Sequence, residues 1–264
     1  MSLKPQASSL KPISSLKPLR LVLLGTGGSY ANDRRQTACL MLPEAGVVLD
    51  AGTALYRAAR WVSTPRLDIY LSHAHLDHVV GLSSLYDLVR VEPLERVIVH
   101  GDEAKLRGVE EHLFAEPLFP VRPSCEFQPL EAEEPLAGGG HLSHFPLDHP
   151  GGSIGFRLDW PGHSLAYVTD TTAAVDAPYV EKIRGVDLLV HECFLPDEAA
   201  DWAAVTGHST TTPVGEVARR AQVGRLILVH LDPRSADDDP AQLATARAIF
   251  PATDWGVDGL VVEF

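Results

Sequence analysis

His73-Ala-His75-Leu-Asp77-His78 places four potential metal ligands in six residues, between a strand-like run over 67–71 and a helix-like run over 82–89. Side chains alternate along an extended segment, so His73, His75 and Asp77 would share one side there. A turn at Asp77-His78 would then carry the last imidazole toward a second centre. The cluster reads as a site for two ions. A lone surface histidine is usually just solvated, but three histidines and an aspartate at this density rarely serve packing. Imidazole with carboxylate suits zinc, manganese or iron, and no cysteine in the segment pulls it toward a closed thiolate site. Open coordination positions imply chemistry.

Working outward, strand-like runs precede and follow the cluster at 19–24, 37–42, 46–49, 96–100, 156–160, 164–169, 187–191 and 226–230. Helix-like stretches cover 103–114, 179–183 and 212–222. Strands alternate with helices, yet hairpins are also present. The mixture predicts an α/β (α+β) protein of two packed sheets with helices outside, rather than a doubly wound sheet.

Further candidate ligands fall where strand-like runs end: His149 after Phe145-Pro-Leu-Asp, Asp170 after Ala166-Tyr-Val-Thr, and His230 after Leu226-Ile-Leu-Val. Rigid scaffolds place catalytic groups at such ends. Taken singly each signal is weak, and Asp170 before two threonines reads equally as a turn or cap. With the six-residue cluster they make a set of seven. Asp50, in Asp50-Ala-Gly-Thr53, reads either as a helix cap or as a group that orients a ligating histidine from behind.

Two other motifs invite different chemistry. Gly25-Thr-Gly-Gly28 suggests a dinucleotide loop, but that fingerprint needs glycine where Tyr30 stands. Gly151-Gly-Ser153-Ile-Gly155 fits the nucleophile elbow of a serine hydrolase. The residues after it, 156–160, alternate like a strand where an elbow demands a helix.

Length and composition fit a soluble enzyme: 264 residues, 45% apolar and 22% charged. No apolar run reaches the roughly 18 residues needed to span a membrane, and the first residues lack the apolar core of a signal peptide, so the cytoplasm is the expected location. Cys39, Cys125 and Cys193 are odd in number and widely spaced, which fits reduced packing thiols. A formal charge of −13 disfavours a long nucleic acid as substrate, although metal ions can supply positive charge where phosphate sits. Three Ser-Leu-Lys-Pro copies at 2–5, 9–12 and 15–18 predict a disordered leader over 1–18, with a single domain over 19–264. The three aspartates at 237–239 read as a solvated loop.

Ser72-His-Ala-His-Leu-Asp-His78, His149 followed by Gly155-Phe-Arg157, Thr169-Asp-Thr171 and Val229-His230 resemble the ordered motifs of the metallo-β-lactamase superfamily. Val190-His-Glu-Cys-Phe194 and Gly207-His-Ser-Thr210 are similar to its ribonuclease Z-like phosphodiesterase branch. The resemblance covers 19–264 and implies a four-layer αββα fold. It further implies that His73, His75 and His149 hold one ion, that Asp77, His78 and His230 hold the other, and that Asp170 bridges both. Two divalent ions about 3.5–4 Å apart, zinc first with manganese or iron as alternatives, would share a hydroxide and clamp an in-line displacement at phosphorus. His208 would serve the leaving oxygen or a nonbridging phosphate oxygen, and Glu192 would orient His208 or shuttle its proton. Asp77, His208 and Glu192 are thus the expected catalytic residues, His141, His144 and His191 structural or supporting ones. A homodimer is implied by the resemblance alone.

The departures from that branch narrow the substrate. Bacterial ribonuclease Z carries a tRNA-gripping arm between the positions of His149 and Asp170, which here stand only 21 apart. The spacing resembles that of small-molecule phosphodiesterases instead, yet 25–35 lacks the cysteines that hold a structural zinc in one group of them. The expected activity is therefore hydrolysis of a small cyclic or terminal phosphodiester, such as a cyclic nucleotide or ribose cyclic phosphate. The alternatives are a ribonuclease Z-like tRNA 3′-processing endonuclease, a non-catalytic scaffold and a serine hydrolase.

Overall fold

The computed structural model describes residues 18–235 and 239–264. The leader repeats, apart from Pro18, lie outside the described residues, as do Asp237 and Asp238.

Fourteen strands are formed among the described residues: β1 Arg20–Gly25, β2 Cys39–Leu42, β3 Val47–Leu49, β4 Arg66–Tyr70, β5 Arg96–Gly101, β6 Glu126–Pro129, β7 Glu133–Leu136, β8 Gly140–Leu147, β9 Ser153–Trp160, β10 His163–Val168, β11 Leu188–Glu192, β12 Arg225–Val229, β13 Thr253–Trp255 and β14 Val261–Glu263. They make two seven-stranded sheets, ordered β14-β1-β2-β3-β4-β5-β6 and β13-β12-β11-β10-β9-β8-β7. Each sheet changes from antiparallel to parallel pairing midway. In the first, β3, β4, β5 and β6 run parallel. In the second, β10, β11, β12 and β13 do.

Alternation within the strands builds the layers. Leu21 and Leu23 of β1 enter the core between the sheets, where they join Tyr70, Phe156, Leu158 and Tyr167. Val22 and Leu24 face the other way, into a core that also holds Leu55, Leu82 and Leu85 from helical segments. Ile227 and Val229 of β12 likewise face the partner sheet. Leu226 and Leu228 face the layer containing Val214, Val217 and Ala218 of the helix Thr211–Ala221. Both faces of each central strand are buried, which is why these strands read as continuous apolar runs. The expected αββα arrangement is the observed one.

Some local expectations are corrected. The cluster is extended only through His75, which precedes a short helix, Leu76–Val79, so Asp77 and His78 project from a helical turn. Only His73 and His75 therefore keep the strand alternation. Asp239 does lie in a loop, as read, but half-buried: its carboxylate accepts the Leu243 N–H at 2.8 Å ahead of the helix Leu243–Ile249. Ser153 begins β9, as the alternation after it required. Its hydroxyl donates to the Asp170 carbonyl at 2.7 Å, which leaves no elbow.

Candidate metal centre

The candidate ligands gather where strands end. His73 follows β4, His149 follows β8, Asp170 follows β10, and His230 comes directly after β12. β8, β10 and β12 run in one direction, so their carboxyl ends deliver these groups to one side of the second sheet. Crevices at the carboxyl ends of strands are the common location of sites in such sheets.

All seven expected ligands meet there. The carboxylate of Asp170 is buried between two groups of nitrogens. Its Oδ2 lies 3.7 Å from His73 Nε2 and 3.6 Å from His149 Nε2. Its Oδ1 lies 3.2 Å from His78 Nε2 and 3.3 Å from His230 Nε2. His75 Nδ1 completes the first group at 3.3 Å from His149 Nε2. Asp77 Oδ2 completes the second, 3.3 Å from His230 Nε2 and 3.5 Å from His78 Nε2. Two ligands of one tetrahedral zinc, each about 2.0–2.1 Å from the ion, are separated by about 3.4 Å. The observed spacings match that edge.

A test of fit comes from the donors themselves. His73 Nε2 is buried without a hydrogen-bond partner, although it faces the cluster. Buried polar atoms are normally satisfied, and an orphaned imidazole lone pair beside a carboxylate is what a cation would complete. Burial pushes the His73 imidazole down to about 2, so the ring is neutral, as a ligand must be. Burial alone would raise the Asp170 carboxyl, but neighbouring His230 and His78 outweigh it and hold the group well below the usual carboxylate range. The residues therefore fit two divalent ions.

The ligands are held from behind by a layer that fixes their tautomers. Asp50 accepts from the Ser72 N–H at 2.8 Å, the Ser72 hydroxyl at 2.9 Å, His78 Nδ1 at 2.8 Å and the Tyr167 hydroxyl at 3.0 Å. It is thus the orienting group, while the following helical turn starts from Gly52 without a side-chain cap. His149 Nδ1 donates to the Gly207 carbonyl at 2.9 Å. Three residues of the centre, Asp50, Asp170 and His230, have left-handed backbones with φ of 59°, 37° and 57°. Such geometry is rare outside glycine and concentrates at functional sites.

His208 stands at the edge of the cluster, where its ring offers an atom within 4.8 Å of ligand atoms of Asp170 and His230. Its Nδ1 lies 3.0 Å from Glu192 Oε1. Burial opposes a charge on this ring, but the Glu192 carboxylate more than compensates and raises its pKa. Glu192 itself is fully buried and also accepts the backbone N–H groups of Thr171, Phe194 and Ser209. Four donors on one carboxylate define an anchor, which supports its orienting role over a proton shuttle. His191 is not part of the centre; it is buried against the Tyr179 hydroxyl at 3.0 Å. His141 lies on the surface near Asp159.

Gly28 is one of four residues whose supporting role escaped the sequence reading. A Cβ on Gly28 would stand 2.5 Å from the His230 ring, so only glycine lets that imidazole reach the cluster. The signal was present in Gly25-Thr-Gly-Gly28, although it points to close packing instead of phosphate. Ser153, Tyr167 and Ser72 were missed as well, since each acts through tertiary contacts.

This two-sheet sandwich with a histidine and aspartate cluster at its strand ends defines a class of metal-dependent hydrolases. A family model described as beta-lactamase superfamily domain matches residues 46–231, and the chain belongs to the metallo-β-lactamase superfamily. It is 25% identical to a ribonuclease Z of Natronomonas pharaonis, over 83% of this chain and 89% of that protein. In structure it is similar to the metallo-β-lactamase fold protein YhfI from Bacillus subtilis, with TM-score 0.78, 20% identity and coverage of 93% and 100% of the two chains. A diphosphatase from the PhnP family superimposes with TM-score 0.71 at 22% identity, over 94% and 97%. Among the described residues, no helix is long and apolar enough to cross a membrane.

Proposed function

We propose that the chain is a dinuclear metal-dependent phosphodiesterase that cleaves a small cyclic or terminal phosphodiester. The observation that carries this reading is Asp170, whose two oxygens face two separate groups of imidazoles. His73, His75 and His149 would hold one ion, Asp77, His78 and His230 the other, and Asp170 would reach both. Bound there, two divalent ions, zinc first with manganese or iron as alternatives, would polarise a phosphoryl group, neutralise its charge and lower the pKa of water.

The chain supplies the rest. Asp170 would offset the repulsion between two bound cations, and Asp50 and Gly207 fix the His78 and His149 imidazoles that would face them. With Nδ1 committed to Glu192, His208 presents Nε2 to the cavity, where it can hold a proton for the leaving oxygen or a nonbridging phosphate oxygen. Substrate size is read from the stretch between His149 and Asp170, which forms only the hairpin of β9 and β10. That leaves no arm to grip a tRNA. The cavity beside the cluster, about 350 Å³, is in the range of small-ligand pockets.

A second reading, tRNA 3′ processing, is favoured by the ribonuclease Z relative that matches most of the chain. One experiment separates the two. Zinc- or manganese-loaded protein is incubated with cyclic nucleotides, ribose cyclic phosphates and precursor tRNA, with Asp170→Ala as control. Turnover of small diesters that vanishes in the folded variant supports the first reading, and cleavage of tRNA alone would replace it with the second.

A further inference from the structure

The cavity beside the cluster has two chemically distinct parts. Its buried end is made by Asp170 and His230, each about 2% exposed, and its outer part by Tyr30 and Trp202, which are 50% and 52% exposed. Phe194 also lines it, but its ring is already stacked on His208, with centroids 4.4 Å apart and planes at 27°. Tyr30 and Trp202 stack on no other ring among the described residues. Two half-exposed aromatic rings on the wall of a single cavity that reaches Asp170 and His230 differ from apolar residues scattered singly over a surface.

Both rings stand on segments tied directly to the ligands. Next to Tyr30, the Ser29 N–H donates to Asp77 Oδ2 at 2.7 Å. Trp202 lies on the helix Ala200–Thr206, and Gly207, which ends that helix, accepts from His149 Nδ1. The distance from ring to cluster is therefore fixed by the same contacts that fix the ligands. Arg234 adds a cation on the cavity wall. Its Nε and Nη2 are engaged by Asp232 at 2.9 and 2.8 Å, whereas Nη1 makes no hydrogen bond among the described residues.

We propose that this outer part is a nucleobase site. Trp202 and Tyr30 stack the base of a nucleotide whose phosphodiester lies at the cluster, and Arg234 Nη1 meets its anionic oxygens; the substrate class is thus nucleoside cyclic phosphates in preference to base-free sugar phosphates. This assignment rests on the phosphodiesterase reading above. Aromatic faces accept any base, so the site selects for a base without selecting among bases. A mononucleotide also brings little negative charge to a chain of net charge −13, unlike a long nucleic acid.

The test compares adenosine 2′,3′-cyclic phosphate with methyl β-ribofuranoside 2,3-cyclic phosphate, which differ by the base alone, as substrates of the zinc-loaded protein. In parallel, AMP and ribose 5-phosphate are titrated into the same protein by calorimetry. The base should raise kcat/KM and affinity by about five- to a hundredfold, the range expected of one stacked base. Trp202→Ala should bring both ratios toward one, and Trp202→Phe should keep most of them. Hydrolysis of both diesters with ratios near one in every variant would overturn the base site and leave the phosphodiesterase standing. No hydrolysis, with AMP binding that still depends on Trp202, would retain the base site and remove the phosphodiesterase. Neither hydrolysis nor base-dependent binding would remove both.

Discussion

Glu192 Oε1 stands 3.0 Å from Nδ1 of His208, and the same carboxylate accepts three backbone N–H groups from the loops on either side. The ring is therefore locked in one tautomer, with Nε2 toward the cavity. A positioned proton donor contributes about 10²–10⁴ in rate. His208→Ala should lose kcat in that range while zinc content, measured by atomic absorption, stays at the wild-type level. The loss should be steep for diesters with an alkoxide leaving group and shallow for p-nitrophenyl esters. Equal losses for both would move His208 from the leaving oxygen to a nonbridging one.

Asp50 collects four donors from three parts of the chain, including Tyr167 from the opposite sheet. Removing an outer partner of a ligating histidine typically weakens metal binding by about 10–100-fold. Asp50→Ala should show that loss in competition with a zinc chelator, with activity returning at high zinc. Tyr167→Phe removes one neutral partner and should cost about 1 kcal/mol of stability, read from urea unfolding, with metal affinity nearly unchanged. Unaltered zinc affinity in Asp50→Ala would show that His78 needs no orienting group.

The ligands were legible because their local text is unusual: one dense cluster, then Asp170 and His230 directly after apolar strands. The supporting layer was not, since Tyr167 and Asp50 are 117 positions apart and meet only when the sheets pack. Strand edges were also hidden. β6 reads Glu-Phe-Gln-Pro and β7 reads Glu-Glu-Pro-Leu, and both terminate their sheets, so backbone pairing to a single neighbour sustains them without an apolar pattern. The helix Ala200–Thr206 begins after Ala199 with no capping side chain, which removes the usual start signal.

Gly28 offers a sharper test of packing at the centre. Its absent side chain is replaced by the His230 ring, with a hypothetical Cβ only 2.5 Å away. Gly28→Ala must displace the ring or the loop, and the ring is the ligand. Zinc bound at the second group should fall below one equivalent while the far-ultraviolet circular dichroism is preserved. Full metal occupancy with normal turnover would mean that the loop gives way instead, and that His230 tolerates a shift.

Away from the centre, Asp68 carries a pH dependence whose sign can be worked out. Burial raises this carboxyl, but hydrogen bonds from His100 at 2.8 Å and from Arg66 at 2.7 Å outweigh it and hold the pKa below its ordinary 3.8. A depressed folded value means that the ionised form stabilises the fold. That contribution is fully present above the unfolded value near 3.8 and is lost as the pH falls through the lower folded value. Asp68→Asn should therefore be less stable than wild type at neutral pH, and the gap should begin to narrow below about pH 4, where the unfolded chain's carboxylate takes up a proton, closing only as the pH passes the lower folded value. Urea midpoints measured from pH 7 to pH 3 on metal-stripped protein isolate this group from the ligands. A gap that stays constant across the range would place the contribution of Asp68 in shape and packing, with its charge irrelevant.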